Sequence, residues 1–172
     1  MNEASLSLPH GYICERNMTD AFLKQLIERT NADEEVQKFT SDMCRFNTEE
    51  AYKSWNSRRR SIFILTNAHG VLCGFGWCSQ KNIPNHLQPR SNASLTLAIR
   101  IYPPFRGKGL SIPFFMYMIR TLEREKPFGK EHERGYWIRR RLNNEVAEKV
   151  YKACGFTELT RDAEGVYLVR SV

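Results

Sequence analysis

Apolar residues change their spacing several times along the 172-residue chain, and each change marks a predicted element. GYICER (11–16) alternates as a short strand does. TDAFLKQLIERT (19–30) sets Phe22, Leu23, Leu26 and Ile27 at helical spacing behind a Thr/Asp start. A short helix is expected at 33–40, and another in NTEEAYKSW (47–55), where Asn47 and Glu50 form a capping-box pattern. The period then becomes extended. SIFILT (61–66) and VLCGFGWCS (71–79) flank the turn sequence NAHG and predict a hairpin. Gly74 and Gly76 in the second of these strands imply a weak or bulged place, or the close approach of a ligand or another backbone. After a polar loop at 80–93, SLTLAIRIY (94–102) reads as a strand stopped by Pro103-Pro104.

The second half repeats the alternation of strand and helix. Leu110, Phe114, Phe115, Met118, Ile119 and Leu122 form one broad apolar face, with Pro113 in the first turn, where its missing N–H costs little. GYWIRRRL (135–142) is a strand, and NNEVAEKVYKACG (143–155) a helix closed by Gly155. FTEL and VYLVRSV follow as two strands joined by DAEG. This order predicts an α/β (α+β) fold: a mixed sheet of about seven strands with about four helices, in a single domain over 1–172.

Composition narrows the class. Hydrophobic residues make up 41% and charged residues 26%, the ordinary globular range. The five cysteines are scattered, with no CxxC pair, which argues against a disulfide framework and a zinc site; no metal is expected. The N-terminal MNEASLSLPHGY lacks a basic stretch followed by an apolar one, and no run is long enough to span a membrane, so a cytoplasmic protein with no membrane partner is expected. The net charge is +7, and position matters more than size. Eleven Lys/Arg and four Glu between Arg100 and Arg141 carry all of it. Such a segment attracts an anion.

RGKGLS (106–111) is the place where that charge meets chemistry. It lies between an apolar strand and an amphipathic helix, so its amides are the unpaired donors of a helix N-terminus, and glycines allow an anion to approach them. GxxxxGK[ST] and GxGxxG are both absent, which excludes a P-loop and a dinucleotide fingerprint. The stretch resembles instead the R/Q-x-x-G-x-G/A pyrophosphate loop of the GNAT superfamily of acyl-CoA-dependent N-acyltransferases, with Ser111 where that family commonly has Gly or Ala. Asn144, Ala147, Tyr151, Gly155 and Phe156 also match that family's N-x-x-A-x-x-x-Y-x-x-x-G-F. The likeness covers the chain from about residue 11, though only in outline before residue 60.

The resemblance implies an N-acetyltransferase that moves an acetyl group from acetyl-CoA to a primary amine, either a protein N-terminus or a small molecule. It places the pyrophosphate on Arg106, Gly107, Lys108, Gly109, Leu110 and Ser111. The pantetheine arm would lie along Ile99–Ile101 in a gap between the strands at 94–102 and 135–142, with Asn144 touching it. It gives the Ile101 backbone N–H to the oxyanion and the Tyr151 hydroxyl to the departing thiolate as general acid. Tyr151 also shares the apolar stripe of its helix and can be read as core. NTEEAYKSW resembles, weakly, members that acetylate ribosomal-protein N-termini.

The general base is where the chain departs from the family, which often has a glutamate on the strand before the loop. SLTLAIRIY carries no acid. His86, Tyr102, Glu158 and ordered water are the candidates, and none is preferred. Arg140 stands where the family is usually aliphatic; facing the acceptor, it would favour an acidic one. The missing glutamate also admits a non-catalytic acyl-CoA-binding module. Trp137 with its neighbouring arginines admits a nucleic-acid-binding domain, but that reading leaves both motifs unexplained, so nucleic acid is not expected. A homodimer is compatible with the sequence.

Overall fold

In the computed structural model residues 8, 9 and 11–172 are described, so most of the N-terminal stretch read above for a signal lies outside them. Seven strands form: β1 (Tyr12–Glu15), β2 (Arg60–Asn67), β3 (Leu72–Gln80), β4 (Leu95–Ile101), β5 (Tyr136–Arg141), β6 (Thr157–Arg161) and β7 (Gly165–Arg170). The helices are α1 (Asp20–Ala32), α2 (Glu34–Phe39), α3 (Met43–Phe46), α4 (Glu49–Asn56), α5 (Ser111–Glu125) and α6 (Glu145–Ala153), of which α1, α4, α5 and α6 have eight residues or more. Two short 3₁₀ turns complete the set, Asn85–Leu87 and Gly129–Arg134.

The sheet order is β1-β2-β3-β4-β5-β7-β6. All neighbours are antiparallel except β4 and β5, which run parallel and pair only at Leu95↔Tyr136 and Thr96↔Trp137. Beyond Thr96 the two strands separate, opening the gap that the sequence resemblance implied.

Four helices, α1, α2, α4 and α6, start where a side chain takes an orphan amide. Thr19 accepts from the Phe22 amide at 3.2 Å, and Asp33 from those of Glu35 and Val36 at 3.1 and 3.3 Å. For α4 the cap is Thr48, not Asn47: Thr48 is extended (φ −141°, ψ 166°) and accepts from Ala51, whereas Asn47 already has helical backbone. The capping box expected at Asn47 is therefore displaced by one residue.

Strand alternation sends side chains into two layers. Phe63, Leu65, Leu95, Leu97 and Ile138 pack under α5 and α6. On the other face, Ile64, Phe75 and Trp77 pack against α1, α3 and α4. That second layer is rich in edge-to-face rings, with Phe46 4.8 Å from Trp55 and 5.4 Å from Phe75 between centroids. Such pairs contribute about 0.5–1.5 kcal/mol each beyond their burial, which makes a stiff wall beside the gap.

The strand glycines have specific neighbours. A Cβ on Gly76 would collide with the Met118 sulfur of α5, and one on Gly74 would come within 2.7 Å of the Arg100 carbonyl. The close approach is thus by helix and strand. A bulge lies next to Gly74, where the β2–β3 register shifts between Leu65 and Thr66.

Candidate active site

The glycine loop keeps its backbone open. Gly107 and Gly109 have φ of +75° and +70°, a region where side chains are strained, and a Cβ on either would meet nothing. Conformation, not space, requires glycine here. Among the described residues the amides of 107–112 find no partner, and Leu110, at the N-cap of the 15-residue α5, makes no side-chain cap bond. Successive unpaired amides at the positive end of a helix form an anion-binding concavity. Ser111 opens the helix, and the exposed Lys108 lies over the Phe105 ring.

Arg106 behaves differently from its place in the motif. Its Nε donates to the Ile101 carbonyl at 2.9 Å, and its other nitrogens pair with Asp33 and with Glu35, the latter at 3.1 Å. Asp33 is buried. The half-buried Arg106 is therefore already answered by two carboxylates, and its side chain ties the loop to the start of α2.

Strand β4 presents half of a ladder to the gap. The Tyr102 amide donates to Cys73 on β3 at 2.9 Å, so by alternation the Ile99 and Ile101 amides point the other way. They meet no strand there, because pairing with β5 ends at Thr96. Their carbonyls are engaged: Ile99 accepts from Arg100 Nη1 at 2.6 Å and Ile101 from Arg106. The gap is thus lined by donors, one of them the Ile101 N–H.

Tyr151 stands on α6. Its ring packs against Phe115 and Phe156, and the residue is 7% exposed. Burial raises its hydroxyl above the ordinary tyrosine value; the Arg100 cation opposes this and the Asp42 carboxylate adds to it. Packing and a protonated hydroxyl coexist in one residue. Asn144 caps α6, accepting from the Ala147 amide at 3.1 Å, which occupies its carbonyl oxygen and leaves its NH₂.

Sequence reading missed the ion pair between Arg100 and Asp42, 58 residues apart. Arg100 Nε and Nη2 meet the two Asp42 oxygens at 2.5 and 3.3 Å, and Arg45 adds a third contact at 3.3 Å. The Asp42 side chain is fully buried. The signal was an arginine inside an otherwise aliphatic strand, which needs a carboxylate; the local sequence could not say which.

The candidate bases are scattered. Glu158 sits on the edge strand β6 and is held by Arg161 at 2.7–2.8 Å, which lowers its pKa. His86 is exposed, its ring 6.2 Å from that of Tyr167. Tyr102 is fully buried, and burial raises its hydroxyl, the wrong direction for a base. Arg140 borders the cleft between β4 and β5 but is already paired within the protein. Its guanidinium turns to Glu148 on α6 and to the carbonyls of Arg141 and Leu142, while Arg139 and Arg141 take the opposite face of β5. Among the described residues no group of His, Cys, Asp and Glu could hold a metal ion, and no helix is long and apolar enough to cross a membrane.

On the α4 side of the gap lies a cleft of about 1070 Å³, with Trp55, Trp77 and Trp137 in its walls and Thr96–Ala98 along its floor.

No protein-family model and no curated protein sequence matches the chain. Solved structures do. A GCN5-related N-acetyltransferase from Kribbella flavida is 15% identical, with 95% of this chain and 99% of that one aligned at a TM-score of 0.70. A ribosomal L7/L12 alpha-N-protein acetyltransferase in complex with coenzyme A is 13% identical, with 97% of each chain covered and a TM-score of 0.69. AAC(6')-Ib in complex with ribostamycin and coenzyme A is 13% identical, covering 94% of this chain and 93% of that one at 0.69. At such identities the likeness is one of backbone. Across nearly its whole length the chain has the fold of the GCN5-related N-acetyltransferases.

Proposed function

We propose that the protein is an acetyl-CoA-dependent N-acetyltransferase acting on a primary amine. The observation that carries this reading is the joining of the open-amide glycine loop to a donor-lined gap between β4 and β5. The pyrophosphate sits on the amides of 107–112 with Lys108 beside it, and Arg106 contributes by fixing the loop. The pantetheine follows the Ile99 and Ile101 amides into the gap, meeting the Asn144 NH₂. The fold neighbours that hold coenzyme A support the same assignment.

The amine attacks the thioester carbonyl, and its C–N bond forms as the oxyanion is met by the Ile101 N–H. Collapse breaks the C–S bond, and the thiolate takes the Tyr151 proton. Burial keeps that hydroxyl protonated until the thiolate needs it. The amine's surplus proton passes to water, and water returns a proton to the Tyr151 oxygen, which restores the hydroxyl. A second reading, an acyl-CoA binder without turnover, is favoured by one observation: Asp42, the carboxylate that meets a β4 side chain, is committed to Arg100.

Acetyl-CoA is expected to raise the melting temperature of the protein. The double variant Gly107→Ala/Gly109→Ala, forced out of its backbone conformation at about 1–2 kcal/mol per residue, is expected to weaken that binding by about ten-fold or more. Unchanged affinity in the variant overturns the loop assignment. Release of free thiol with an amine acceptor separates enzyme from binder.

A further inference from the structure

The cleft beside the gap is cationic out of proportion to the rest of the surface. Nine Arg and Lys residues line it against one acid, Glu164, and Arg139 already holds that glutamate at 2.6 Å. Asp42 answers Arg100 and Arg45 from beneath. Among the described residues Arg58, Arg60, Lys81 and Arg141 pair with no carboxylate; Arg60 and Arg141 reach only carbonyl oxygens, those of Arg58 and Lys38. Arg60 Nε is buried without a partner. Its guanidinium is held below the ordinary arginine value by burial and by the Arg58 and Arg45 cations. Partly dehydrated cations with no counter-ion are an unfavourable arrangement unless an anion visits.

The tryptophans decide what kind of anion. Arg60 lies 4.3 Å over Trp55, Arg100 and Arg45 lie 5.3 and 5.8 Å over Trp77, and Lys81 lies 5.6 Å over Trp137, which also stacks on Tyr167. Their ring faces are taken by the protein's own cations and rings, so they are not platforms for nucleic-acid bases. They hold guanidinium forks in fixed planes, an arrangement suited to carboxylates. The free cations come from separate walls of the cleft: Arg58 and Arg60 at the start of β2, Lys81 after β3, and Arg141 at the end of β5. One compact phosphate cannot satisfy them together, and about 1070 Å³ exceeds the space of a single amino acid.

We propose that the acetyl acceptor is the N-terminal amine of an acidic peptide, whose carboxylates lie along this cleft and bring the amine to the gap. This rests on the acetyl-transfer reading above. The cations would hold the acidic side chains, while a polycationic amine would be repelled at the same place.

The test uses the full chain and peptides of one length that share an N-terminal serine, followed by Glu/Asp, by Gln/Asn or by Lys. Tryptophan fluorescence reads binding directly, and thiol release reads turnover. The acidic peptide is expected to bind about ten-fold tighter than its amide counterpart, the worth of two or three partly exposed ion pairs, and the advantage should shrink as salt rises. Arg58→Gln/Arg141→Gln, both at exposed positions, should cut the preference most of the way to unity. Equal use of the neutral peptide, no binding of the acidic one, or tighter binding of phosphoethanolamine or an oligonucleotide overturns the proposal. The melting shift with acetyl-CoA separates the two readings. A shift without acidic preference sinks only the acceptor, and no shift sinks the acetyl-transfer reading beneath it.

Discussion

The glycine loop offers unpaired amides from the main chain of six consecutive residues, whereas the cleft is lined by side chains scattered between Phe39 and Glu164. A site made of backbone needs only a conformation, and conformation leaves a local mark, here two glycines at positive φ before a helix. A site made of side chains needs several elements to meet. Its specificity therefore lies in topology and charge, and can change without touching the loop.

The largest effect is expected at the gap, which both regions border. Tyr151→Phe keeps the packing against Phe115 and Phe156 but removes the proton. Turnover should fall by about 10²–10⁴-fold while acetyl-CoA and peptide affinities hold. Full turnover in single-turnover kinetics would make Tyr151 a core residue only. Next is the ion pair that backs the cleft. Asp42→Ala leaves Arg100 buried without a counter-charge and should cost about 3–5 kcal/mol in denaturant unfolding. A loss under about 1 kcal/mol would mean that Arg100 escapes to water, as exposed pairs do.

The smallest effect comes from a group outside both regions. His132 is buried; its Nε2 accepts from the Phe128 amide at 3.2 Å, and its Nδ1 lies 3.2 Å from the Tyr136 hydroxyl. Burial and the Lys126 cation lower its pKa from 6.5. The unfolded chain thus takes up a proton that the native ring refuses. Stability from this group is complete above pH 6.5 and declines as pH falls below it, by at most about 1.4 kcal/mol per pH unit. His132→Gln should flatten that part of the slope in thermal melts from pH 7.5 to 5.5. An unchanged slope places the titration elsewhere, and in either case the acidic limb of a turnover profile can be corrected for folding.

Much of the fold could be read from periodicity. The strands at 61–66, 71–79 and 94–102 lie within a residue or so of β2, β3 and β4, because each is largely apolar and is bounded on at least one side by Gly, Asn or Pro. The start of α4 was missed by one residue, since choosing between adjacent Asn and Thr caps depends on backbone angles. At the site, the glycine positions were legible. The fate of the arginines was not. Arg106 turned inward to Asp33, Arg140 turned to Glu148, and Arg100 found Asp42, because a charge inside a fold goes to whichever carboxylate the topology delivers. Only long-range contact reveals that.

The parting of β4 from β5 has a consequence for solubility. It leaves an open strand edge in the middle of a sheet, and such an edge can template the strand of another molecule. Here the Ile99 and Ile101 carbonyls are already capped by Arg100 and Arg106. An incoming strand would find donors without acceptors and could complete only half of its bonds. The same two guanidiniums that shape the gap also make it a poor seed for aggregation.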